Sequence, residues 1–428
     1  MGNATESRRH VLVVRGSFAT LGGAERELLQ LIPKLENHWK VSLATLSFPE
    51  DAQQLLESTT VEVYKSKHTY NPPINAISEV RNIASKQALQ LWKSVEIPWD
   101  TIDVVHLSVC RGTLEILPRI PGHIPIHYHC LEPPRWLYED VLHRRLDGTI
   151  KRPSFITNLA FRKQKKDDQR FVKMLLGRPK STLSGNSQFT ANRLTRIYKF
   201  TRPCTKENGL PPERDEQKRP LQCTFLHHAI DLGKWPVESS NDEQTATANL
   251  NLPEKYVATI GKISFVKGTM ESVAMLEKTN IALVHIGGGN ESDKQKLTQF
   301  AKTIGVDIIC MPQLTQEQIC GVVRGSIAVI SHAYGEPFGL TPIEALSIGV
   351  PPVMVRDGGF VETMSLLDES FLFDRNNLES WHRGLERAQN IEHRDRCLKS
   401  GRAFVDAHFS LDHEAIQLSR LLNEQLNS

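Results

Sequence analysis

The sequence has no apolar run approaching the ~18–20 residues of a membrane span, which excludes an integral helical membrane protein. It has no excess of one charge: 52 Lys and Arg stand against 49 Asp and Glu, a net +3. That balance excludes a nucleic-acid coat protein and an acidic disordered tail, and no nucleic-acid partner is expected. None of its seven cysteines forms a Cys-x-x-Cys pair. Neither a disulfide framework nor a zinc ribbon is spelled, and dispersed thiols point to a reducing, cytoplasmic compartment. No apolar stretch as long as a signal peptide's h-region follows MGNATESRRH, so no secretory signal is expected, and Glu6 stands where a myristoylation signal wants Ser or Thr. There is no short-period repeat and no Asp-x-Asp motif. What remains is 428 residues, 39% hydrophobic and 24% charged, the composition of a soluble chain of two or three domains.

Those residues alternate between two patterns. Val11–Val14 is a short apolar, β-branched run, and from Gly22 the residues Leu28, Leu29, Ile32 and Leu35 recur at helical spacing. Further strands are predicted at 41–46, 61–64, 103–107, 125–129 and 180–183, which ends the first series, with a helix over about 77–94. A stretch rich in Pro and charge at 201–220 reads as a linker, and 237–250 as an exposed loop. The alternation then restarts with strands at 256–260, 281–286, 307–310, 327–331, 353–355 and 371–373. Helices are predicted over about 269–278, 291–304, 315–324, from 341, over 376–389 and over 411–426. The expectation is α/β: two doubly wound parallel domains, 1–220 and 221–410, with a last helix at 411–428 crossing back to the first. Ligands of such sheets bind outside the carboxyl ends of the strands, so two facing sheets would make a cleft lined by both sets of loops.

The densest candidate site is His332-Ala-Tyr-Gly-Glu336-Pro-Phe338-Gly339-Leu340-Thr-Pro-Ile-Glu344. Pro342 suits a first helical turn, so the helix is expected to begin near Thr341. The amides of Phe338, Gly339 and Leu340 would then form an anion site at its N-terminus. A Glu between Gly and Pro at a strand end, as Glu336 is, makes little structural sense and reads as functional. Glu344 has two readings, because Thr341-Pro342-Ile343-Glu344 also spells a capping box.

This combination resembles the E-x7-E motif of retaining GT-B glycosyltransferases of glycosyltransferase family 4. Gly261-Lys262-Ile-Ser-Phe-Val-Lys267-Gly268 is similar to that family's G-R-x-x-x-x-K-G segment, with Lys262 where the family has Arg. Gly287-Gly288-Gly289 resembles its glycine turn beside the nucleotide, and Gly358-Gly359-Phe-Val-Glu362 its G-G-x-x-E turn. Gly22-Gly23-Ala24-Glu25 resembles the G-G-A-E loop, and the stretch around His127-Tyr128-His129 a Y-x-H-x-P-x-R segment. The resemblance implies two Rossmann-like domains and transfer of a hexosyl group from a GDP- or UDP-linked sugar. The acceptor hydroxyl would belong to a glycan, a lipid-linked or a small-molecule acceptor. It assigns Lys267, Lys262, Gly22, Gly23, Gly287 and the 338–340 amides to the donor phosphates and nucleotide, Glu344 to ribose, and Glu336 and His129 to the transferred sugar. No cofactor and no metal is implied, and no protein nucleophile.

Three rival activities fit less well. A two-carboxylate hydrolase needs carboxyl groups about 5–10 Å apart across one bond, and an epimerase needs a further carboxylate base that the sequence does not offer. The third is a non-catalytic nucleotide- or carbohydrate-binding subunit, for which Lys262 speaks and against which Lys267, Glu336 and Glu344 speak. Residues 144–180 carry twelve Lys or Arg against three Asp, with Phe155, Ile156, Leu159, Phe161, Phe171 and Leu175 interleaved. They read either as a solvated helical face over a core stripe or as a peripheral contact with an anionic acceptor or membrane.

Overall fold

A computed structural model describes residues 8–72, 76–151, 153–199 and 223–427. The chain forms two units. The first comprises residues 1–138, 154–228 and 411–428, and the second 139–153 and 229–410.

The first unit holds seven strands: β1 His10–Val14, β2 Lys40–Thr45, β3 Glu62–Lys65, β4 Val104–Ser108, β5 Ile126–Cys130, β6 Thr182–Gly185 and β7 Cys223–Phe225. Their order is β3-β2-β1-β4-β5-β6-β7, and every pairing is parallel. β1, β4 and β5 are buried along their whole length, as central strands of a sheet covered on both faces are, and β4 and β5 bury histidines among their apolar residues. The strand series does not end at β6 as expected: β7 extends the first sheet. β7 lies beyond residue 220, where the first domain was expected to end, and the two units divide between His228 and Ala229. The proposed linker at 201–220 lies outside the described residues. The helix expected over 77–94 is two helices, Ala76–Arg81 and Ile83–Trp92, separated by Asn82 in the left-handed conformation at φ 48°. The last helix, Leu411–Asn427, packs on the first, Gly23–Leu35, and Trp39 Nε1 donates to Ser419 Oγ at 3.1 Å.

The second unit holds β8 Tyr256–Ile260, β9 Ala282–Ile286, β10 Ile308–Met311, β11 Val329–Ser331, β12 Pro352–Val355 and β13 Leu372–Phe373. Their order is β10-β9-β8-β11-β12-β13, again all parallel. The loop expected at 237–250 contains a helix, Asn241–Thr247, because the Ser240 hydroxyl caps it by accepting from the Glu243 amide. Helices over Gly359–Ser365 and Ile391–Arg396 were also not foreseen.

The basic stretch 144–180 is divided between the two units. Its first part belongs to the second unit, where Leu146 is buried in the core, and Phe171 and Leu175 are core residues of the first. In each sheet the strand order reverses once, between β1 and β4 and between β8 and β11. Loops diverge there, and ligand sites of open α/β sheets form there.

Candidate active site

At the switch point of the second sheet, the chain leaves β8 through Gly261–Lys267 and β11 through His332–Glu336. The two loops touch backbone to backbone: a Cβ on Gly268 would lie 2.1 Å from the His332 carbonyl oxygen, and Gly268 has φ 61°. The Tyr334 amide donates to the Val266 carbonyl at 2.8 Å. This contact brings Lys267 to Glu336, with Nζ 2.8 Å from Oε2 and 3.0 Å from Oε1. Glu336 is held in turn by the glycine turn after β12. Gly359 N–H donates to the Glu336 carbonyl at 2.6 Å, and a Cβ on Gly358 would lie 2.5 Å from both the amide nitrogen and the carbonyl oxygen of Glu336. Asp357 Oδ2 accepts from the Gly335 amide at 3.1 Å and from Arg375 Nη2 at 3.2 Å.

The next helix is Leu340–Ser347, and its N-cap is Gly339 at φ 96°. The helix thus begins one residue before Thr341, close to the expected start, and the exact cap has a chemical consequence. With Gly339 as cap, Pro342 occupies the third helical position and Glu344 the fifth, so the capping box does not form. Glu344 is partly buried, no described side chain bonds its carboxylate, and burial pushes its carboxyl up to about 7. The side chain of Phe338 is core, edge-on to Phe409 with ring centroids 5.6 Å apart, which leaves only its backbone for a ligand role.

Lys262 is exposed on the turn after β8. The glycine turn after β9 divides by cause. A Cβ on Gly287 (φ 133°) would lie 2.3 Å from the Gly261 carbonyl oxygen, and one on Gly289 would lie 2.9 Å from Ile263 Cβ. Gly288 has no atom within 4 Å of its Cβ position. Packing therefore explains two of the three glycines and leaves Gly288 unexplained.

The sequence reading missed a stack beside this pair. Arg375 lies 3.6 Å above the Tyr334 ring, Tyr334 stacks on Phe265 at 4.8 Å and 16°, and Arg144 lies 5.4 Å from Phe265 on the far side. Arg144 reaches it from the short segment 139–153. His332 stacks on Trp381 at 3.8 Å, and burial, with Arg375, pushes its pKa down to about 3, so it is neutral.

The remaining candidates lie on the first unit. Helix Gly23–Leu35 starts after Gly22, whose amide donates to Glu25 Oε2 at 3.1 Å, and Glu25 is paired with Arg15. The Gly22 amide is therefore engaged within its own turn. Gly23 has open space around its Cβ position. His129 closes β5, with Nδ1 2.8 Å from Ser184 Oγ and a buried Nε2 that has no hydrogen-bond partner. Burial and the neighbouring His228, His106 and His127 hold its pKa well below the ordinary value, so the ring is neutral. His127 bonds the same Ser184 hydroxyl at 2.9 Å and His106 Nδ1 at 3.0 Å, making a buried histidine chain. The i, i+2 spacing of His127 and His129 was the available signal, since it places both on one strand face.

Glu27, His228 and Glu414 are also gathered, all buried, with donor atoms within 4.8 Å of one another. Three such groups could hold a metal ion. In this structure His228 Nδ1 hydrogen-bonds Glu27 Oε1 at 2.8 Å. Burial alone would raise the Glu27 carboxyl, but His228, Glu414 and Arg15 together hold it below the ordinary value.

Two doubly wound parallel domains, one carrying a Lys–Glu pair at its switch point, define a protein of the GT-B glycosyltransferase fold. Residues 240–404 match the family model for glycosyl transferases group 1. That match lies within the second unit and supports the likeness to a group 1 glycosyltransferase. The chain is 27% identical over 221 residues to the D-inositol 3-phosphate glycosyltransferase of Nocardioides sp., a match covering 46% of this chain and 47% of that one. It is 24% identical over 321 residues to the protein of the same name from Segniliparus rotundus, covering 70% and 66%. The chain thus spans about half the length of the Nocardioides relative. Among solved structures it is similar to Anabaena Alr3699/HepE in complex with UDP and glucose, with TM-score 0.63, 14% identity and coverage of 97% of this chain and 100% of that one. Sucrose-phosphate synthase from Thermosynechococcus elongatus gives TM-score 0.67, 17% identity and coverage of 97% and 99%.

Proposed function

We propose that this protein is a retaining hexosyltransferase that moves a sugar from a nucleotide diphosphate donor to an acceptor hydroxyl. The observation that carries the reading is the Lys267–Glu336 pair at the switch point of a group 1 glycosyltransferase domain. The leaving diphosphate needs positive charge and oriented donors where its own charge develops. Lys267, Lys262 and the backbone amides at 338–340 supply them, with no metal required. Glu336 orients the sugar hydroxyls and Glu344 accepts from the ribose hydroxyls. Gly288, with no packing reason for its missing side chain, lets the backbone approach the nucleotide.

The acceptor oxygen attacks C1 on the face that the phosphate leaves. The C1–O bond to the acceptor forms, the C1–O bond to the phosphate breaks, and the acceptor's proton passes to the departing phosphate oxygen. Neutral His129, with its free Nε2, serves the transferred sugar as a hydrogen-bond partner. The carboxylates therefore act as hydrogen-bond acceptors rather than as the acid and base of a hydrolase. We place the enzyme in the cytoplasm, acting on a glycan, a lipid-linked or a small-molecule acceptor.

UDP-glucose is the first donor to test, given the ligands of the HepE neighbour, and GDP-linked sugars follow. Purified protein is incubated with a panel of nucleotide sugars, and release of nucleoside diphosphate and transfer are followed by mass spectrometry. Slow donor hydrolysis with one sugar nucleotide, accelerated by the right acceptor, is the expected result. Tight donor binding with no turnover on any donor would instead favour the non-catalytic subunit.

A further inference from the structure

We propose that helices Ala76–Arg81, Ser154–Ala160 and Arg162–Leu176 of the first unit form a docking face for a bilayer that carries anionic lipid. The first two helices pack against the third. Their outward residues are unusually apolar: Phe155 and Leu159 are each 71% exposed, Ile77 is 66% exposed, and Ile156, Val80 and Met174 are also exposed. Phe155, Ile156 and Leu159 fall within little more than one helical turn, so they form a local cluster rather than scattered surface residues. Solvent gives no reason to place two such side chains there, and a hydrocarbon boundary does.

The charges around this tip are sorted. Arg162, Lys163, Lys166, Arg170 and Lys173 are exposed on the helix that continues from it. The two acids of that helix turn inward. Asp168 accepts from the hydroxyls of Tyr138 and Tyr198 at 2.5 and 3.0 Å, and Asp167 from the Asn82 amide group at 2.8 Å. Asp167 also pairs with Lys163 Nζ at 3.6 Å and Arg170 Nη2 at 3.4 Å, so two of these cations are partly neutralised, while Arg162, Lys166 and Lys173 keep the exposed face cationic. Phe171, Val172 and Leu175 anchor the opposite face in the core. An apolar tip flanked by lysine and arginine matches the headgroup boundary of an anionic leaflet, where each cation near the surface adds attraction. A second copy of this chain is disfavoured as the occupant, because two such faces would oppose like charges.

The test uses the full chain and needs no donor, so its failure and the failure of the transfer reading are separate results. Protein is sedimented with vesicles of phosphatidylcholine alone and of phosphatidylcholine with about one-third phosphatidylglycerol, at low and at physiological salt. Binding to the anionic vesicles alone, weakening as salt rises, is expected. The double variant Phe155→Asp, Leu159→Asp should lower the partition coefficient by roughly tenfold or more, and Lys166→Glu with Lys173→Glu by a similar factor. Circular dichroism and melting curves should be unchanged, since all four side chains lie on the surface. Three outcomes would overturn the proposal: no anionic-vesicle binding by folded protein, equal binding to both vesicle types, or binding indifferent to the Asp pair. A dimer that the Asp pair dissociates, seen by light scattering, would assign the face to a second copy instead.

Discussion

Lys267 and Glu336 come from loops 69 residues apart, yet the ammonium of one lies within 3.0 Å of both carboxylate oxygens of the other. The Lys267 side chain is 36% exposed, so the pair adds little to stability, at most about 1 kcal/mol. Its value is positional: it fixes a cation and an acceptor side by side at the strand ends. Lys267→Ala should therefore lower kcat/KM for transfer by on the order of 10²–10³ while leaving the melting temperature within a few degrees of wild type. Near-normal turnover in a folded Lys267→Ala protein removes this residue from the donor site.

Much of that arrangement was legible in the sequence, and the reasons differ by element. β1 and β8 announce themselves as short apolar runs that end in loops with glycine, and the E-x7-E spacing marks one loop–helix junction. The position of Lys267 beside Glu336 was not written as a spacing, because it depends on Gly268 letting one loop press on the His332 carbonyl. β7 was lost because three residues are too few to carry a period. The cap of helix Leu340–Ser347 was misplaced because Thr341 and Glu344 spell a box that the left-handed Gly339 pre-empts. The histidine chain and the Glu27–His228–Glu414 cluster join residues from distant parts of the chain, a juxtaposition that only the sheet order reveals.

Gly358 and Gly288 make a matched pair of tests. Alanine at Gly358 would adopt φ 62° and put its Cβ 2.5 Å from the Glu336 backbone, where no flexible side chain can move aside. Gly358→Ala should cost about 1–3 kcal/mol of stability and reduce transfer, because the Glu336 loop must shift. Gly288→Ala meets nothing in the protein. It should leave the melting temperature unchanged and raise the KM for the donor severalfold if the nucleotide lies there. Unaltered donor KM in Gly288→Ala removes the glycine turn from the donor site, and an unaltered melting curve in Gly358→Ala contradicts the packing described.

Metal dependence is a separate prediction. With lysine side chains and backbone amides facing the diphosphate, transfer should persist in excess chelator at more than about half the rate without it. Strict dependence on added Mg²⁺ or Mn²⁺, measured after exhaustive chelation, would falsify the metal-free reading. A change in melting temperature without loss of rate would point to the Glu27–His228–Glu414 cluster rather than to the chemistry.

The buried carboxyl of Glu344 makes the ribose assignment testable through protons. Burial raises its pKa to about 7 in the folded chain, above the ordinary glutamate value of 4.5. Below about pH 4.5 the group is protonated in both folded and unfolded chains. Between there and about pH 7 the unfolded chain ionises first, so stability falls as pH rises through that window and the full penalty is present above it. Glu344→Gln removes the titrating group, and its melting temperature relative to wild type should rise from pH 5 to pH 8.

Ribose hydroxyls donate to the carboxylate more strongly than to the neutral acid. Binding of a nucleoside diphosphate should therefore favour the ionised form and expel the proton. Calorimetry in two buffers of different ionisation enthalpy should count close to one proton released at pH 6 and almost none at pH 8. The affinity attributable to this group should rise by at most about tenfold per pH unit below 7 and level off above. The ligand's own terminal phosphate also titrates here, so the quantity to compare is the difference between wild type and Glu344→Gln, in which that contribution cancels. Glu336→Gln should keep the proton release and the nucleotide affinity while losing transfer, because that residue is assigned to the sugar. Identical proton counts and affinities in wild type and Glu344→Gln would mean that Glu344 does not touch the nucleotide.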